Sequence, residues 1–331
     1  MKLHILSVPG MPTTDKVRTN YFCYDAWKFM RFFKDKYEMV HYGCEGSDVP
    51  CQHVDLPNDV TEWNAEARRA IHRFKNPQDI ILCFYGTDNQ QATIGHTDCH
   101  VIEPHIGYDP KAVFALYRIF VSYASMHYYY GMHQNIGNFS WWDTVIPNAI
   151  DFNEFEYKEE KKDYVLMMGR VIKSKGVHLA IQATKKTGKK LVIAGEPRGL
   201  KHLGYDRTPS HVELVGNANI EQRRKLLAEA ECLIAPTYYM ETFGMMIVEA
   251  HASGTPTVTS DWGGFVDTNP HGITGYRGRL FKDFVWALEN ISNIDKKAMH
   301  KRAYQLYSDE AVYPQMDQYI QRVINNDYYA E

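Results

Sequence analysis

The second half of the chain alternates short apolar runs with runs of helical period, and this alternation constrains the fold more than any other feature. The strand-like runs lie at 164–168, 191–195, 212–215, 232–235 and 257–259, and the helical runs lie near 177–186, 219–230, 244–252 and 282–291. Strands that alternate with helices in this way form a parallel sheet covered by helices. The sequence therefore predicts an α/β domain in this half.

The first half shows the same kind of pattern, with an aromatic-rich helix. Strands are predicted at 3–8, 39–42 and 79–85 and a helix at 21–33, and helical spacing joins Trp63, Ala67, Ala70, Ile71 and Phe74. A chain of 331 residues suits about two domains. We predict domains at 1–148 and 149–312, and a terminal helix at 313–331 that crosses back onto the first domain.

Composition indicates a globular protein. Hydrophobic residues make up 44% of the chain, and the formal net charge of −3 argues against a dedicated nucleic-acid binder. Two basic clusters, 185–190 and 223–225, are interpreted as solvated helix faces, and peripheral contact with an acidic membrane is the alternative. The sequence does not indicate an oligomeric state.

The cysteines and the amino-terminal segment predict a cytoplasmic protein. The six cysteines have no framework spacing, which favours a reducing compartment. The first eight residues are too few and too polar for a signal peptide and are expected to form a strand. No apolar run approaches the ~20 residues of a membrane-spanning helix.

Two carboxylates, Glu241 and Glu249, flank a short apolar helix predicted at 245–252. Thr242 or Gly244 can cap this helix, which leaves Glu241 just outside its N-terminus. At ~1.5 Å per residue the carboxylates lie on the order of 12 Å apart, a spacing that suits the two ends of an extended polar ligand. The N–H groups between them can bind an anion, so a nucleotide-sugar fits. The alternative is an amphipathic helix with two solvated acids.

A second signal lies upstream, where a strand ends in Gly169-Arg170 and the pair Lys175-Gly176 opens the next helix. Arginine offers a planar fork for phosphate oxygens and lysine a compact point charge. Two cations at a strand-to-helix junction can neutralise a diphosphate. The alternative is a pair of solvated surface charges, which is the interpretation given to Lys173.

These motifs follow one another in a fixed order with others at 191–196, 212–216, 235–237, 249–256 and 261–264. The ordered combination resembles the donor-binding half of retaining GT-B glycosyltransferases, specifically glycosyltransferase family 4. The resemblance covers residues 144–322. It implies an α/β GT-B fold with two Rossmann-like domains facing across a cleft, the first binding the acceptor and the second the donor.

The resemblance also implies roles for individual residues. Residues that match Arg170 and Lys175 bind the donor diphosphate, the one matching Glu241 holds sugar hydroxyls, and the one matching Glu249 holds the ribose. Further donor contacts are expected at Gly169, Thr242, Phe243, Gly244 and Met245. Members of the family have a glycine pair against the donor phosphates in the loop after the first strand; here that loop carries a single glycine, Gly10, and a donor contact is expected there too.

A histidine-rich segment at 95–108 has two interpretations. A metal site built from His96, Cys99 and His100 does not match standard zinc spacings. The other interpretation makes 101–103 the end of a strand and His105 a cleft residue, because many members of the family have a histidine there that touches the donor sugar. A hydrogen-bonded core histidine is the alternative for His105.

The activity implied is transfer of a hexose-type sugar from a UDP- or GDP-linked donor, with retention at the anomeric carbon. Glu241, Arg170, Lys175 and His105 are the candidate catalytic residues. The acceptor is a glycan, a lipid-linked molecule or a small molecule. No Asp-x-Asp motif occurs in the sequence, so neither a metal nor another cofactor is expected. The alternatives are a nucleotide-sugar epimerase, a phosphorylase of the same architecture and a non-catalytic nucleotide-sugar-binding protein.

Overall fold

A computed structural model describes residues 1–16, 20–135, 137–196 and 199–327. The chain divides into two compact units. The first contains Met1–Pro147 together with Tyr313–Glu331, and the second contains Asn148–Val312. Each unit is built on one parallel sheet.

The first unit contains seven parallel strands in its described part, in the order β3-β2-β1-β4-β5-β6-β7. The strands are β1 Lys2–Leu6, β2 Glu38–Cys44, β3 Gln52–Leu56, β4 Ile80–Cys83, β5 His100–Ile106, β6 Tyr117–Phe120 and β7 Thr144–Val145. The helices between them are α1 Tyr21–Phe33, α2 Val60–Phe74, α3 Gln90–Thr93 and α4 Tyr123–Met132.

Local sequence explains the two long helices of this unit. Asn20 caps α1 by accepting from the N–H groups of Phe22 and Cys23, and Asp59 caps α2 in the same way. Side-chain oxygens at the N-cap satisfy N–H groups that have no partner inside the helix. The helical spacing predicted for α2 is confirmed, since Trp63 and Ile71 are fully buried against the sheet.

The second unit contains six parallel strands in its described part, in the order β10-β9-β8-β11-β12-β13. The strands are β8 Lys162–Met168, β9 Leu191–Ala194, β10 Val212–Leu214, β11 Ala230–Ala235, β12 Thr257–Ser260 and β13 Gly275–Gly278. Its helices are α5 Val177–Thr187, α6 Gly199–His202, α7 Ile220–Glu229, α8 Met245–Ala252, α9 Phe265–Thr268, α10 Phe281–Asn290 and α11 Lys296–Tyr307. The last helix, α12 Asp309–Asn325, belongs to both units.

In the centre of this second sheet, β9 and the buried parts of β8 and β11 are apolar because helices cover both faces. Val165 of β8 packs toward α5 and α10, whereas the next residue, Leu166, packs toward α7 and α8. Successive strand residues point to opposite faces, so a strand buried on both sides has no polar alternation. The α/β alternation predicted for this half of the chain is confirmed.

Helix α12 begins in the second unit and contributes residues from Tyr313 onward to the first. Tyr313 is fully buried, and its ring lies 6.2 Å from that of Phe29 and 5.7 Å from that of Phe33, both on α1. Asp317 accepts from Lys36 and from the hydroxyl of Tyr37, which follow the end of α1. Across the described residues, no helix has the length and apolar content needed to cross a membrane.

One strand boundary differs from the prediction. The sequence interpretation ended the strand at 101–103 and put His105 beyond it, which is wrong, because β5 runs from His100 to Ile106. The pairing of β5 with β6 shifts register between Glu103 and Ile106. His105 has a φ of 56° at this bulge, and the extra residue lets the strand continue past an irregular point.

Candidate active site

The loops that follow β8, β11 and β12 lie at the same edge of the second sheet, because the strands are parallel. Ligands of open α/β sheets bind outside this carboxyl edge. The loop after β8 carries Gly169, Arg170 and Lys175, and the loop after β11 carries Glu241. The sheet therefore brings together residues that lie more than sixty positions apart in the sequence.

Lys175 and Glu241 form an ion pair at this edge. The ammonium nitrogen of Lys175 lies 3.0 Å from Oε2 of Glu241, and the two side chains are 12% and 20% exposed. The hydroxyl of Tyr239 donates to the same oxygen over 2.5 Å. The ring of Tyr239 lies under Lys175, with 4.8 Å between the nitrogen and the ring centroid. A half-buried carboxylate is thus held by two donors.

Gly176 allows the two loops to approach each other. Its φ is 73°, and a Cβ at this position would lie 1.9 Å from the carbonyl oxygen of Pro236. Only glycine is free of both penalties, because it has no Cβ and populates positive φ readily. In the Lys175-Gly176 pair, the lysine therefore supplies positive charge and the glycine allows the close packing of the two loops.

The loop after β12 fixes the backbone of Glu241 from the other side. The N–H of Gly264 donates to the carbonyl oxygen of Glu241 over 2.6 Å. A Cβ at Gly263 would lie 2.6 Å from that same oxygen, and one at Gly264 would lie 2.3 Å from the carbonyl oxygen of Thr242. The pair of glycines thus lets this loop pack directly on the chain around Glu241.

Helix α8 begins four residues after Glu241, at Met245. Gly244 precedes it with a φ of 85°, and a Cβ there would lie 2.6 Å from the ring of Phe265. Phe243 is buried, with 3% of its surface exposed. The first N–H groups of a helix have no partner inside the helix, so the α8 N-terminus can bind an anion beside Glu241.

Glu249, on the second turn of α8, contacts the guanidinium group of Arg223 on α7. Arg224 pairs instead with Glu154 over 2.9 Å. The interpretation of 223–225 as a solvated face does not include these ion pairs, although the two arginine side chains remain 39% and 32% exposed. Packing of α7 beside α8 accounts for the difference, since the two helices cover the same face of the sheet.

Arg170 remains exposed to solvent at the end of β8. Among the residues that the structure describes, no acid forms an ion pair with it. The positive charge of Arg170 nevertheless acts on the neighbouring side chain of Tyr239. Burial and the neighbouring Glu241 carboxylate raise the pKa of the Tyr239 hydroxyl, whereas Arg170 opposes that rise. Tyr239 therefore keeps its proton and acts as a donor, and the guanidinium group of Arg170 is available to a ligand.

The candidates of the first unit lie apart in the sequence from this cluster. Gly10 follows β1 with a φ of 74°, and its N–H donates to the sulfur of Cys44 over 3.1 Å. His105 is 2% exposed, with Nδ1 against Asp25 of α1 and Nε2 3.1 Å from the sulfur of Met316. His105 therefore has the contacts of the hydrogen-bonded core histidine, which was the alternative for this position.

The histidine-rich segment gives no metal cluster. Within the described ranges, no group of three or more histidine, cysteine or acidic side chains is arranged to hold an ion. His100 is bonded to Gln78 over 2.8 Å, and both ring nitrogens of His96 are buried without a partner in the structure. These side chains give the metal interpretation no support.

Two residues of the site were missed by sequence reasoning. Tyr239 lies two positions before Glu241, and Arg223 lies in the basic cluster 223–225, which the sequence predicts to be a solvated helix face. The only sequence signal for Tyr239 is its place between an apolar strand and Glu241. Nothing in the sequence distinguishes it from the adjacent Tyr238, which is 53% exposed.

Comparison with solved structures identifies the architecture as that of GT-B glycosyltransferases. Sucrose-phosphate synthase from Thermosynechococcus elongatus matches with a TM-score of 0.77 at 14% identity, covering 99% of this chain and 100% of that chain. AviGT4, a glycosyltransferase of avilamycin A biosynthesis, matches with a TM-score of 0.74 at 19% identity and 98% coverage of both chains. Anabaena HepE in complex with UDP and glucose matches with a TM-score of 0.72 at 16% identity, covering 97% and 99%. The GT-B fold predicted from the sequence is confirmed.

Sequence comparison narrows the class for the second half of the chain. Residues 149–305 match the family described as glycosyl transferases group 1. An uncharacterized glycosyltransferase of Methanocaldococcus jannaschii is 32% identical over 146 residues, which are 42% of this chain and 36% of that protein. Glycogen synthase of Mycobacterium tuberculosis is 34% identical over 146 residues, which are 40% and 35%. The chain thus spans about a third of the length of these relatives.

Proposed function

We propose that this protein is a retaining, metal-independent glycosyltransferase that moves a hexose-type sugar from a nucleotide diphosphate to an acceptor. The family match over residues 149–305 and the relatives named as glycosyltransferases support the reaction class. The GT-B fold supports a donor site in the second unit. The acceptor is a glycan, a lipid-linked molecule or a small molecule.

The observation that carries the proposal is the pairing of Lys175 with Glu241 beside the N-terminus of α8. This edge of the sheet offers positive charge from Arg170, Lys175 and the helix N-terminus, together with a half-buried carboxylate. A diphosphate needs the first and a sugar with hydroxyl groups needs the second. Few ligands other than a nucleotide-sugar need both within one loop cluster.

Cleavage of the bond between the sugar and the diphosphate places negative charge on the departing phosphate. Arg170 and Lys175 can stabilise that charge from fixed positions, which is the largest single contribution in many enzymes. Lys175 then interacts electrostatically with both the Glu241 carboxylate and the departing phosphate. The cationic side chains can take over the neutralisation that a divalent metal provides in other transferases.

Retention follows in the proposal from attack on the same face as the departing diphosphate. The acceptor oxygen forms a bond to the anomeric carbon as the bond from that carbon to the phosphate oxygen breaks. The acceptor proton passes to the departing phosphate, so atoms and charge balance without a covalent enzyme intermediate. Glu241 holds the sugar hydroxyls, and its negative charge favours the positive charge that develops at the anomeric carbon.

Glu249 is proposed to hold the ribose, with Arg223 orienting its carboxylate. A UDP-linked donor is the first choice for testing, because HepE, which shares the fold, was solved with UDP and with UDP-glucose. A GDP-linked donor is the second. The six cysteines have free thiols, and a cytoplasmic location is part of the proposal.

The test begins with thermal shift in the presence of UDP-, GDP- and ADP-sugars, because a ligand that binds the native state raises its stability. The best donor is then incubated with a panel of acceptors, with and without EDTA. We expect release of the nucleoside diphosphate, a product with the anomeric configuration of the donor by NMR, and full activity in EDTA. Glu241→Gln is the catalytic control and Lys173→Ala the surface control.

Other outcomes of this experiment separate the alternatives. Conversion of the donor without an acceptor favours an epimerase, and a pyridoxal absorbance band favours a phosphorylase. Donor binding without hydrolysis or transfer across the panel favours a non-catalytic binding protein. An inverted product contradicts the retaining assignment, and a strict metal requirement contradicts the metal-independent one.

A further inference from the structure

Tyr239 makes two contacts with the candidate catalytic residues, and no sequence motif had singled it out. It lies in the loop between β11 and α8. Its hydroxyl donates to Oε2 of Glu241 over 2.5 Å, and its ring centroid lies 4.8 Å from the ammonium nitrogen of Lys175. One side chain thus contacts both members of the ion pair in different ways.

The two donors to Glu241 share a single carboxylate oxygen. Lys175 and Tyr239 both meet Oε2, at 3.0 Å and 2.5 Å. In the portion of the chain that the structure describes, no protein group donates to Oε1. The carboxylate is therefore fixed in orientation through one oxygen, and the second oxygen keeps its capacity to accept from a ligand.

The backbone of Tyr239 is itself fixed by neighbouring side chains. Its carbonyl oxygen accepts from the indole N–H of Trp262 and from the hydroxyl of Thr237, each over 3.2 Å. Ser260 of β12 in turn donates to the carbonyl oxygen of Thr237 over 2.6 Å. The tyrosine is thereby held by the end of the sheet before any ligand arrives, which is the arrangement that preorganised sites require.

A pure packing role does not explain these contacts. A ring that served only to fill space would need no hydroxyl, and burying a hydroxyl beside a carboxylate is favourable only because the two are hydrogen-bonded. The adjacent Tyr238, which is 53% exposed, forms no such bond among the described residues. The two tyrosines therefore differ in what their hydroxyl groups contact.

We propose that Tyr239 is a positioning residue for the sugar-binding carboxylate. Its hydroxyl holds Oε2 of Glu241 so that Oε1 accepts from a hydroxyl group of the donor sugar, and its ring keeps Lys175 beside that carboxylate. The inference rests on the proposed function, and it assigns the orientation of Glu241 to a residue outside the motif that carries the family resemblance. In this proposal Tyr239 acts through two contacts, the hydrogen bond from its hydroxyl to Glu241 and the cation–π contact of its ring with Lys175.

Two substitutions separate these contributions. Tyr239→Phe removes the hydrogen bond and keeps the ring under Lys175, whereas Tyr239→Leu removes both. A hydrogen bond to a charged group contributes ~1.5–3 kcal/mol, so we expect the phenylalanine variant to lose about tenfold to hundredfold in kcat. Its affinity for the free nucleoside diphosphate should stay at the wild-type value. The leucine variant should lose that affinity as well, because Lys175 loses the ring that supports it.

The experiment measures kcat and KM for the best donor, and the Kd for nucleoside diphosphate and for nucleotide-sugar by calorimetry. Tyr238→Phe is the matched control, since it makes the same chemical change one residue away on an exposed side chain. Circular dichroism and melting temperature establish that each variant is folded. We expect Tyr239→Phe to weaken binding of the nucleotide-sugar and leave nucleoside diphosphate binding intact, a split that a general loss of stability would not produce.

Each outcome bears on the proposal. A folded Tyr239→Phe variant with wild-type kcat and wild-type affinity for nucleotide-sugar overturns the positioning role while leaving the transferase function standing. Equal loss in Tyr238→Phe also overturns it, because the effect would then not come from the contact with Glu241. If the wild-type protein binds no nucleotide-sugar at all, the proposed function fails and this inference fails with it.

Discussion

Arg223 on α7 contacts the carboxylate of Glu249 on α8, and it joins a basic side chain to the acid that the family resemblance assigns to the ribose. The Arg223 side chain is 39% exposed, but its Nε atom is buried and has no hydrogen-bond partner among the described residues. A charged nitrogen in that position lowers its free energy when a ligand oxygen or a water reaches it. The pair packs α7 against α8, and under the proposed function it also orients Glu249 toward the ribose.

Glu249→Ala should weaken binding of the donor and of the free nucleotide by the same factor, because the ribose is part of both. The expected loss is ~1.5–3 kcal/mol, the contribution of a hydrogen bond to a charged group. Arg223→Ala should reduce affinity in the same direction, since Glu249 loses its partner. Arg224→Ala, which loses contacts with Glu154 and the ring of Phe155 but none with Glu249, is the matched control. Unchanged calorimetric affinity in Glu249→Ala would remove this residue from the ribose.

Lys175→Ala and Arg170→Ala should lower turnover more than they weaken nucleoside binding. Charge grows on the diphosphate during the reaction, so a cation contributes more in the transition state than in the bound ground state. We expect a fall in kcat on the order of 10²-fold for Lys175→Ala. Lys173→Ala, an exposed lysine in the same loop, should be neutral. If Lys173→Ala changed kcat and KM as much as Lys175→Ala does, the effect would come from disturbance of the loop and not from loss of the charge at Lys175.

Glu241→Gln should slow sugar transfer while leaving nucleoside diphosphate affinity unchanged or higher. The amide keeps the size of the side chain but removes the charge that favours a cationic transition state, and it frees Lys175 for phosphate. The expected fall in kcat is on the order of 10²–10³. Glu221→Gln, on the exposed side of α7, is the control. Wild-type turnover in Glu241→Gln contradicts the role given to this carboxylate.

Gly176→Ala should destabilise the second unit strongly. Both Gly176 and Gly188 have positive φ, 73° and 69°, but a Cβ at Gly188 meets nothing within 4 Å, whereas at Gly176 it would lie 1.9 Å from a carbonyl oxygen. Each alanine incurs about 1–2 kcal/mol for the left-handed backbone, and only the first adds the clash. Urea unfolding of the two variants isolates that difference. Equal midpoints would mean that the loop relaxes without cost.

Acid should destabilise the protein through His251. Burial lowers the pKa of this fully buried ring to about 3, and a hydrogen bond with the backbone of Thr274 opposes that effect. The unfolded chain takes up a proton near pH 6.5 and the folded one does not, so stability present above pH 6.5 is lost as pH falls toward 3. Between pH 7 and pH 5 one such group accounts for about 2 kcal/mol.

The measurement is urea unfolding at pH 7 and pH 5. His251→Gln should flatten the pH dependence relative to wild type, whereas His202→Gln, on an exposed residue, should leave it unchanged. An identical pH dependence in His251→Gln and wild type would assign the acid sensitivity to other groups.

The elements of the second unit could be predicted from the sequence because their pattern is strong. Fully apolar runs bounded by Gly or Pro identified β8, β9 and β11, and the bounds differ from the observed ones by about two residues. Helix α1 was predicted with its observed bounds. Local periodicity is sufficient wherever one element buries a whole face, since burial then dictates the residue type at each position.

Other elements of the first unit gave no such signal. Strand β3 mixes exposed and half-buried residues and lies at the edge of its sheet, and β7 has only two residues. Helix α4 is rich in tyrosine on all sides, so no apolar stripe marks it. In each case the element is stabilised by its neighbours in the sheet and not by a pattern of its own.

The residues of the candidate site were also predictable from the sequence only in part. Charge and glycine placement indicated Arg170, Lys175 and Glu241, but the ion pair between two of them depends on the close approach of two loops. The partners Tyr239 and Arg223 follow from packing between distant segments, which single-sequence spacing does not encode. Donor contacts at Gly10, Gly169, Thr242, Phe243, Gly244 and Met245 remain predictions, as does any catalytic role of His105.

Helix α12 has a consequence for the order in which the protein forms during synthesis. Tyr313, Met316 and Ile320 belong to the buried interior of the first unit, although they are made after the whole of the second. When residue 312 has been added, every residue of the second unit has been synthesised, but the residue that covers the aromatic side of α1 has not. The unit that is begun first in translation is therefore the unit that is supplied with its last buried residues latest.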